Sequence, residues 1–576
     1  MPGFLVLYAI KEKTILEDIN IKLRSFSDLQ KNRIIYDNLF IERFTNKKFM
    51  KDKVFFEDDN IIICNEGIIL NFAELSNRFA TKNYFDLIKK LYIKYNNQFF
   101  TQFKGEFSGI LYDKIEKKVI LYTNRTSSKP LYYFVSNDYF IAASELKVVT
   151  KMLSILGIKY SLDEIGANFL ITYGSTFEDF TLIQEIKKLK PGHYINIEKN
   201  NVSIEKYHIF SNEPILSIEK KKIINNLDQL FINAVKLEYN KDLEYQYKHI
   251  TTLSGGLDSR MNVMTANELG YNNILNITFS QNDYLDERIA KKISSDLQND
   301  FLFYSLNNGN YLMNIKDPVI CNDTLVYYSG SAHMLDCIKK IDFREYGLLH
   351  TGMLGDAVLG SYLNGMNKKQ GKVPLSKTAW NYDNLTLSTL NRLDKYYKEY
   401  ESDELFKLYN RGFNGIFNGY WTINQFTEFG SPFLNVDFLS YALRIPINYR
   451  FKGKIYIEWI IRKHPRYAKY IHEKSVAKPS VKLFHLNYLR FMFKWVITKK
   501  LGKYMPLSMN PTEYWYRTNK NLKEFIQSYF YENIHSLDKY PELMNNGKTI
   551  FDNGNLMRKT QILTLLEAMK LYFNDK

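Results

Sequence analysis

The spacing of apolar residues divides the chain in two. Through the first 210 residues, short strand-like apolar runs recur at 1–10, 54–57, 61–70, 107–113 and 118–122. The last two, separated by a charged turn, read as a hairpin. Further runs follow at Lys129-Pro130-Leu131-Tyr132-Tyr133 and at 140–145. One stretch, 84–95, has helical periodicity, with Leu87, Ile88, Leu91, Tyr92 and Tyr95 on one face. Many strands with few intervening helices predict packed sheets flanked by helices, an α+β arrangement.

Residues 211–248 are polar and charged, carry a helical run at 223–237, and link this part to the next. The order then becomes strand (249–253), turn, helix (261–269), strand (273–279), and a helix opened by Asp286 that ends near Leu297. Strand and helix in alternation predict an α/β, doubly wound parallel sheet. A further strand and glycine turn lie at 348–356. Toward the end, 560–573 has the period of a closing amphipathic helix, and 487–500 is basic and aromatic. The latter reads as a core helix with snorkelling lysines, or as a segment that docks on a membrane surface or a peptide partner. Three parts are expected: 1–210, 211–480, and 481–576 as a helical extension of the second.

Two turns hold the candidate chemistry. The first is Leu253-Ser254-Gly255-Gly256-Leu257-Asp258-Ser259. A glycine-rich turn between strand and helix lets backbone N–H groups approach an anion, and the helix N-terminus adds partial positive charge. Ser254 and Ser259 supply hydroxyl donors. Asp258 repels a phosphate directly, so its place there makes sense with a Mg²⁺ between them. No Lys follows the glycines, which excludes the phosphate loop ending in Gly-Lys-Ser/Thr. A plain Gly-Gly turn with a polar cap is the bland alternative. The second turn, His350-Thr351-Gly352-Met353-Leu354-Gly355-Asp356, repeats the design. Ligands of such sheets bind beyond the strand C-termini. Asp258 and Asp356 would then share a metal at one sheet edge.

Composition narrows the picture. The 576 residues exceed the usual size of one domain, and 45% apolar content suffices for large cores. Cys64, Cys321 and Cys337 show no CxxC spacing, so neither a disulfide framework nor a zinc site is indicated, which suits a reducing cytoplasm. No apolar run reaches the roughly 18 residues of a transmembrane helix. The apolar N-terminus has no basic flank and reads as a first strand rather than a signal peptide. The net charge of +16 admits an acidic partner. The lysines are scattered among abundant Asn, Ile and Tyr with no nucleic-acid motif, so compositional drift is the better account and no nucleic acid is expected.

The hexad 254–259 resembles the pyrophosphate-binding loop of the ATP pyrophosphatases, which split ATP into AMP and pyrophosphate. Upstream, Asn65-Glu66-Gly67, Phe103-Lys104-Gly105-Glu106-Phe107-Ser108-Gly109, Arg125, Lys129-Pro130-Leu131 and Ala143-Ser144-Glu145-Leu146-Lys147 follow in order. They resemble the glutaminase domain of glutamine-dependent asparagine synthetases, and Leu189-Lys190-Pro191-Gly192-His193 resembles its closing segment. The resemblance runs from residue 1 to about residue 480. It implies an N-terminal-nucleophile αββα sandwich followed by an ATP-pyrophosphatase domain. It also implies ATP, Mg²⁺ held by Asp258 and Asp356, and nucleotide contacts at Leu253, Ser254, Gly255, Gly256, Asp258, Ser259, Thr278, Phe279, Thr351 and Gly352. Segment 428–438, with Asn435 where the family has Asp, would be a substrate-pocket wall. Lys474 would be the family's late catalytic lysine, with Lys478 as its local rival.

The sequence departs from the family in telling places. Pro2 stands where the family has its nucleophilic cysteine, no Arg-Gly-Pro-Asp motif is recognisable near Arg43, and Asn65-Glu66-Gly67 replaces Asn-Gly-Glu. A prolyl amine cannot carry thiolate chemistry, so an inactive, structural amidotransferase-like domain is expected. Met353 occupies a position that is Glu in asparagine synthetases and Tyr in β-lactam synthetase. These changes resemble β-lactam synthetase and the lasso-peptide cyclases, which use an amine already present on the substrate. The resemblance thus implies a cytoplasmic ATP-dependent ligase that adenylylates a carboxylate and lets an amine attack, on a small molecule or a peptide. Asparagine synthase and a non-catalytic nucleotide-binding paralogue are the alternatives, and an accessory protein or peptide partner is compatible with either.

Overall fold

The computed structural model describes residues 2–11, 19, 21, 28–215, 219–365, 387–480 and 507–573, with 489–490, 492–493 and 496–497. Two antiparallel sheets come first. One has the order β10 (Lys187–Lys188), β8 (Tyr132–Val135), β9 (Tyr139–Ala143), β1 (Gly3–Ala9), β3 (Leu39–Thr45), β2 (Gln30–Tyr36). The other has the order β12 (Asn201–Lys206), β11 (His193–Glu198), β7 (Lys118–Thr123), β6 (Phe107–Asp113), β5 (Ile61–Gly67), β4 (Phe55–Glu57).

Alternation along β1 explains the layering. All of its residues are buried. Phe4, Val6 and Tyr8 enter a core shared with Ile62, Cys64, Ile110 and Leu121 of the second sheet. Leu5, Leu7 and Ala9 point the other way, to the core beneath helices Leu146–Ile155 and Glu164–Tyr173. Beyond the second sheet, Ile61, Ile63, Leu111 and Ile120 meet Leu75, Leu87, Ile88 and Leu91 of helices Phe72–Phe79 and Tyr84–Tyr95. The layers are helix, sheet, sheet, helix.

The third sheet is parallel throughout, with the order β15 (Asp300–Ser305), β14 (Ile274–Ser280), β13 (Lys248–Thr252), β16 (Tyr346–His350), β17 (Phe429–Gly430). The chain moves outward from β13 through β14 to β15, then crosses back to β16. The switch point therefore lies between β13 and β16, which is where such sheets open a crevice. The helix Lys220–Glu244, longer than its apolar run suggested, lies against β13 and β16. Its Asp242 accepts from the Leu348 N–H at 2.8 Å and from the His249 and His350 rings at 2.8 and 2.7 Å.

The edge strand β17 is held by the first part of the chain. Glu428, just before it, is buried, with Lys53 Nζ at 3.1 Å and Lys129 paired to its other oxygen. Segment 428–438 thus joins the parallel sheet to the sandwich rather than walling the main cavity. The C-terminal part is helical: Thr512–Thr518, Lys520–Asn533, Pro541–Asn553 and Leu556–Tyr572. The last helix is buried on nearly every side instead of amphipathic, with Lys559, Thr560, Gln561, Thr564 and Glu567 enclosed beside its leucines. It packs on Glu164–Tyr173, and the Tyr160 hydroxyl donates to the Tyr572 carbonyl at 2.9 Å. The basic aromatic stretch 487–500 lies largely outside the described residues. No described helix is long and apolar enough to cross a membrane.

Burial disfavours the Glu428 charge, but Lys129 and Lys53 outweigh it and hold the carboxyl at about 2, below its ordinary 4.5. A group depressed in the fold contributes stability above its unfolded pKa and loses it as pH falls toward the folded value. Glu428→Gln leaves two buried ammonium groups against a neutral amide, at a cost of about 3–5 kcal/mol. The thermal midpoint should drop at neutral pH, and the gap from wild type should narrow below pH about 4.5. An unchanged midpoint at pH 7 would contradict the anchoring role.

Candidate active site

Beyond the C-terminal ends of β13 and β16, both glycine turns face one cavity of about 930 Å³. In the first turn, the Ser254 N–H donates to Ser259 Oγ at 3.0 Å and the Gly256 N–H to Ser254 Oγ at 3.2 Å. The two hydroxyls are 3.1 Å apart. Helix Asp258–Glu268 begins here, so its unpaired N–H end adds positive potential. Gly255 is fully engaged: its N–H donates to Asp286 Oδ1 at 2.8 Å, and its carbonyl accepts from Arg260 Nη2 at 3.0 Å and the Glu473 N–H at 3.3 Å. The buried Arg260 also donates to the carbonyls of Tyr467, Tyr470 and Ile471 at 3.2, 3.0 and 2.7 Å. One guanidinium therefore ties the first turn to the segment that carries Lys474.

The second turn lies directly on the first. A Cβ at Gly352 would sit 2.3 Å from the Ser259 nitrogen and 2.5 Å from the Asp258 carbonyl carbon. One at Gly355 would sit 2.7 Å from Asp258 Cγ. Only glycine permits this approach. The Asp356 N–H donates to Asp258 Oδ2 at 3.0 Å, and the Tyr456 hydroxyl donates to Asp258 Oδ1 at 2.8 Å. Behind the turn, Thr351 Oγ1 donates to the Gly430 carbonyl and Ser431 Oγ to the Met353 carbonyl, both at 2.9 Å.

Electrostatics single this corner out. Burial, then the neighbouring Asp356 charge, push the Asp258 carboxyl up to about 7. Burial and Glu473 push Asp286 up to about 6. Desolvation works against the Lys474 charge, but Glu473, Asp356, Asp258 and Asp286 outweigh it and hold the ammonium above its ordinary range. Four carboxylates face one lysine. A carboxylate-rich corner that resists full ionisation is the donor set that suits a hard divalent cation.

Leu253, Ser254, Gly256, Asp258, Ser259, Thr278, Phe279, Gly352, Asp356 and Lys474 all line the cavity. Gly255 and Thr351 do not; they are buried behind its wall, holding other parts in place. Lys478 also lies off the lining. Three contributors escape a motif reading: Arg260, Asp286 and Tyr456. The first directly follows the hexad and the second opens a helix, so both carry a local sign. Tyr456 reaches Asp258 across 198 positions and carries none.

Where the glutaminase resemblance expects a nucleophilic cysteine, the first part of the chain has Pro2, and its first cysteine is Cys64. Cys64 lies on β5 in the inter-sheet core, where burial pushes its thiol far above the ordinary range. Arg43 is buried and donates to the Lys53 carbonyl at 2.6 Å and to Asn32 Oδ1 at 2.8 Å. Glu66 is buried beside Thr45, Arg43 and Lys53, and burial pushes its carboxyl up to about 7.

Gly352→Ala tests the contact between the turns. Overpacking of this kind costs about 1–3 kcal/mol, and ATP-dependent thermal stabilisation should disappear with it. Gly365→Ala, where a Cβ meets nothing within 4 Å, serves as the control and should retain that stabilisation. Equal behaviour of the two variants would show that the turns need not touch.

A family profile described as a glutamine amidotransferase domain matches residues 51–208. A Methanocaldococcus jannaschii protein provisionally named asparagine synthetase [glutamine-hydrolyzing] 2 is 27% identical over 219 residues, 36% of this chain and 42% of its own. Asparagine synthetase [glutamine-hydrolyzing] 1 of Bacillus subtilis is 23% identical over 252 residues, 42% of this chain and 38% of its own. The asparagine synthetase [glutamine-hydrolyzing] of Mesocricetus auratus is 28% identical over 221 residues, 34% and 35% of the two chains. The matches thus span well under half the length of these relatives. Among solved structures, the allosteric regulatory enzyme of purine biosynthesis overlays at a TM-score of 0.24 and 9% identity, covering 52% of this chain and 74% of its own, too remote to inform the fold. Low as the identities are, the relatives agree with one another: over about a third to two fifths of its length this chain is similar to glutamine-hydrolysing asparagine synthetases, and residues 51–208 match a glutamine amidotransferase domain.

Proposed function

We propose that the protein is an ATP-dependent carbon–nitrogen ligase. A carboxylate attacks the α-phosphorus of ATP and pyrophosphate leaves. An amine then attacks the acyl carbon and loses a proton as AMP departs. The observation that carries this reading is the meeting of two carboxylates from separate turns over one cavity, with the Asp356 N–H 3.0 Å from Asp258 Oδ2.

A magnesium ion shared by Asp258 and Asp356 would neutralise triphosphate charge and ease the departure of pyrophosphate. The chain's own groups supply the rest. Ser254, Ser259 and the N-terminal end of helix Asp258–Glu268 receive phosphate oxygens. Leu253, Thr278 and Phe279 offer the strand-end surface for adenine. Lys474 remains a cation and stabilises negative charge at the acyl centre. Enclosing both reactants in one cavity makes amine attack effectively unimolecular.

Two features favour a substrate-borne or free amine over one released from glutamine in the sandwich. Pro2 offers no thiol, and Cys64 is packed in a core that suppresses its thiolate. Met353, on the cavity wall, cannot deprotonate an amine. This is the arrangement expected of an amide ligase resembling β-lactam synthetase or a lasso-peptide cyclase. The names of the relatives favour a second reading, asparagine synthase acting on aspartate with ammonia or glutamine.

Exchange of labelled pyrophosphate into ATP, run over a panel of carboxylic acids, tests the proposal. At least one acid should support exchange, and Asp258→Asn should lower it about 100-fold or more. The purified protein should release no ammonia from glutamine. Exchange with aspartate, followed by asparagine formation from free ammonia, selects the second reading. ATP binding without exchange for any acid contradicts both.

A further inference from the structure

We infer that the acid activated here carries a bulky apolar or aromatic body, held by the wall that runs from Met353 to Tyr420. This rests on the ligase reading above and names its substrate class.

The cavity must seat ATP and the acid together. Its volume of about 930 Å³ is at the upper end of the range of roughly 300–1,000 Å³ for ligand sites. The lining carboxylates Asp258, Asp286, Asp356 and Glu473 gather at the nucleotide end, around Lys474. The remaining wall is mainly apolar: Met353, Leu354, Leu363, Ile416, Tyr327 and Tyr420. The charged side chains there, Arg411 and Lys452, are both cations. Aspartate has no apolar body with which to cover these side chains. An acid with an apolar body instead buries surface against these side chains, at about 25 cal/mol per Å².

The backbone of this wall is unusual in a way that points to a ligand independently of charge. Leu408–Ile416 is π-helical, and Ala357–Ser361 is a widened turn broken at Gly360, whose φ is 117°. Widened turns of this kind are rare and recur at functional sites. Three glycines, Gly330, Gly415 and Gly419, line the cavity. At Gly419 a Cβ would meet nothing nearer than Ser331 Cβ at 3.9 Å, so the space beside it is accessible to a substrate group.

The experiment compares 3-phenylpropanoate, octanoate and N-acetylphenylalanine with aspartate in ATP–pyrophosphate exchange. It uses the full-length wild type, Gly419→Leu, which fills the chamber, and Ile416→Ser, which makes its wall polar without adding volume. The inference expects exchange with apolar acids and little with aspartate. Each variant should raise the acid KM about tenfold or more while the KM for ATP stays within about twofold. Ile416→Ser covers the case in which Gly419→Leu does not fold. Exchange driven by aspartate and unmoved by either variant overturns the inference and leaves the ligase reading standing. No exchange with any acid overturns the ligase reading, and this inference falls with it.

Discussion

The structure depends on one close backbone contact: the turn after β16 lies against the first residues of helix Asp258–Glu268. Glycine at 352 and 355 makes the contact sterically available, since a side chain at either would overlap Asp258 or the Ser259 nitrogen. Topology makes it inevitable. β13 and β16 are parallel neighbours on either side of the switch point, so their outgoing turns must emerge side by side. The second turn is then buttressed from behind by β17, through Thr351 and Ser431, and β17 by Lys53 and Lys129 of the sandwich. The sandwich thus carries mechanical weight, because its lysines anchor the edge of the sheet that presents Asp356.

Two clusters of ionisable groups on the parallel sheet show why one is structural and the other suited to a ligand. Asp242, His249 and His350 bring three metal-capable groups within 4.8 Å of one another. Asp242 already accepts from both rings and from a backbone N–H. Burial opposes a charge on His350, but Asp242 and Glu238 outweigh it and raise its pKa to about 9. The cluster balances its own charge. At the open edge the balance fails: Asp258 is pushed toward neutrality because burial and Asp356 outweigh the donors around it. A cation entering there would relieve a repulsion that the protein leaves standing.

Much of this was legible in the sequence, for physical reasons. The two glycine turns are local, and so are the strands that feed them, so short windows reveal them. The choice of which turn residues face the cavity is not local. Gly255 and Thr351 sit inside the motifs yet point away, because their hydrogen bonds run to Asp286 and Gly430. Tyr456 could not be found from its neighbours. The last helix shows the limit of periodicity. Its polar residues suggested a solvent face, but Thr560 meets Ser329 at 2.7 Å, Thr564 accepts from the Tyr328 N–H at 3.0 Å, and Glu567 accepts from Tyr529. These three polar groups are buried with partners contributed from elsewhere in the chain, and no pattern within the helix encodes that.

The most direct measurement is the position of the divalent ion in crystals grown with Mg²⁺ and a non-hydrolysable ATP analogue. The account predicts an ion whose coordination includes carboxylate oxygens of both Asp258 and Asp356, at about 2.1 Å or through a bound water, against the triphosphate. An ion held elsewhere, or a nucleotide bound away from these two turns, would contradict it.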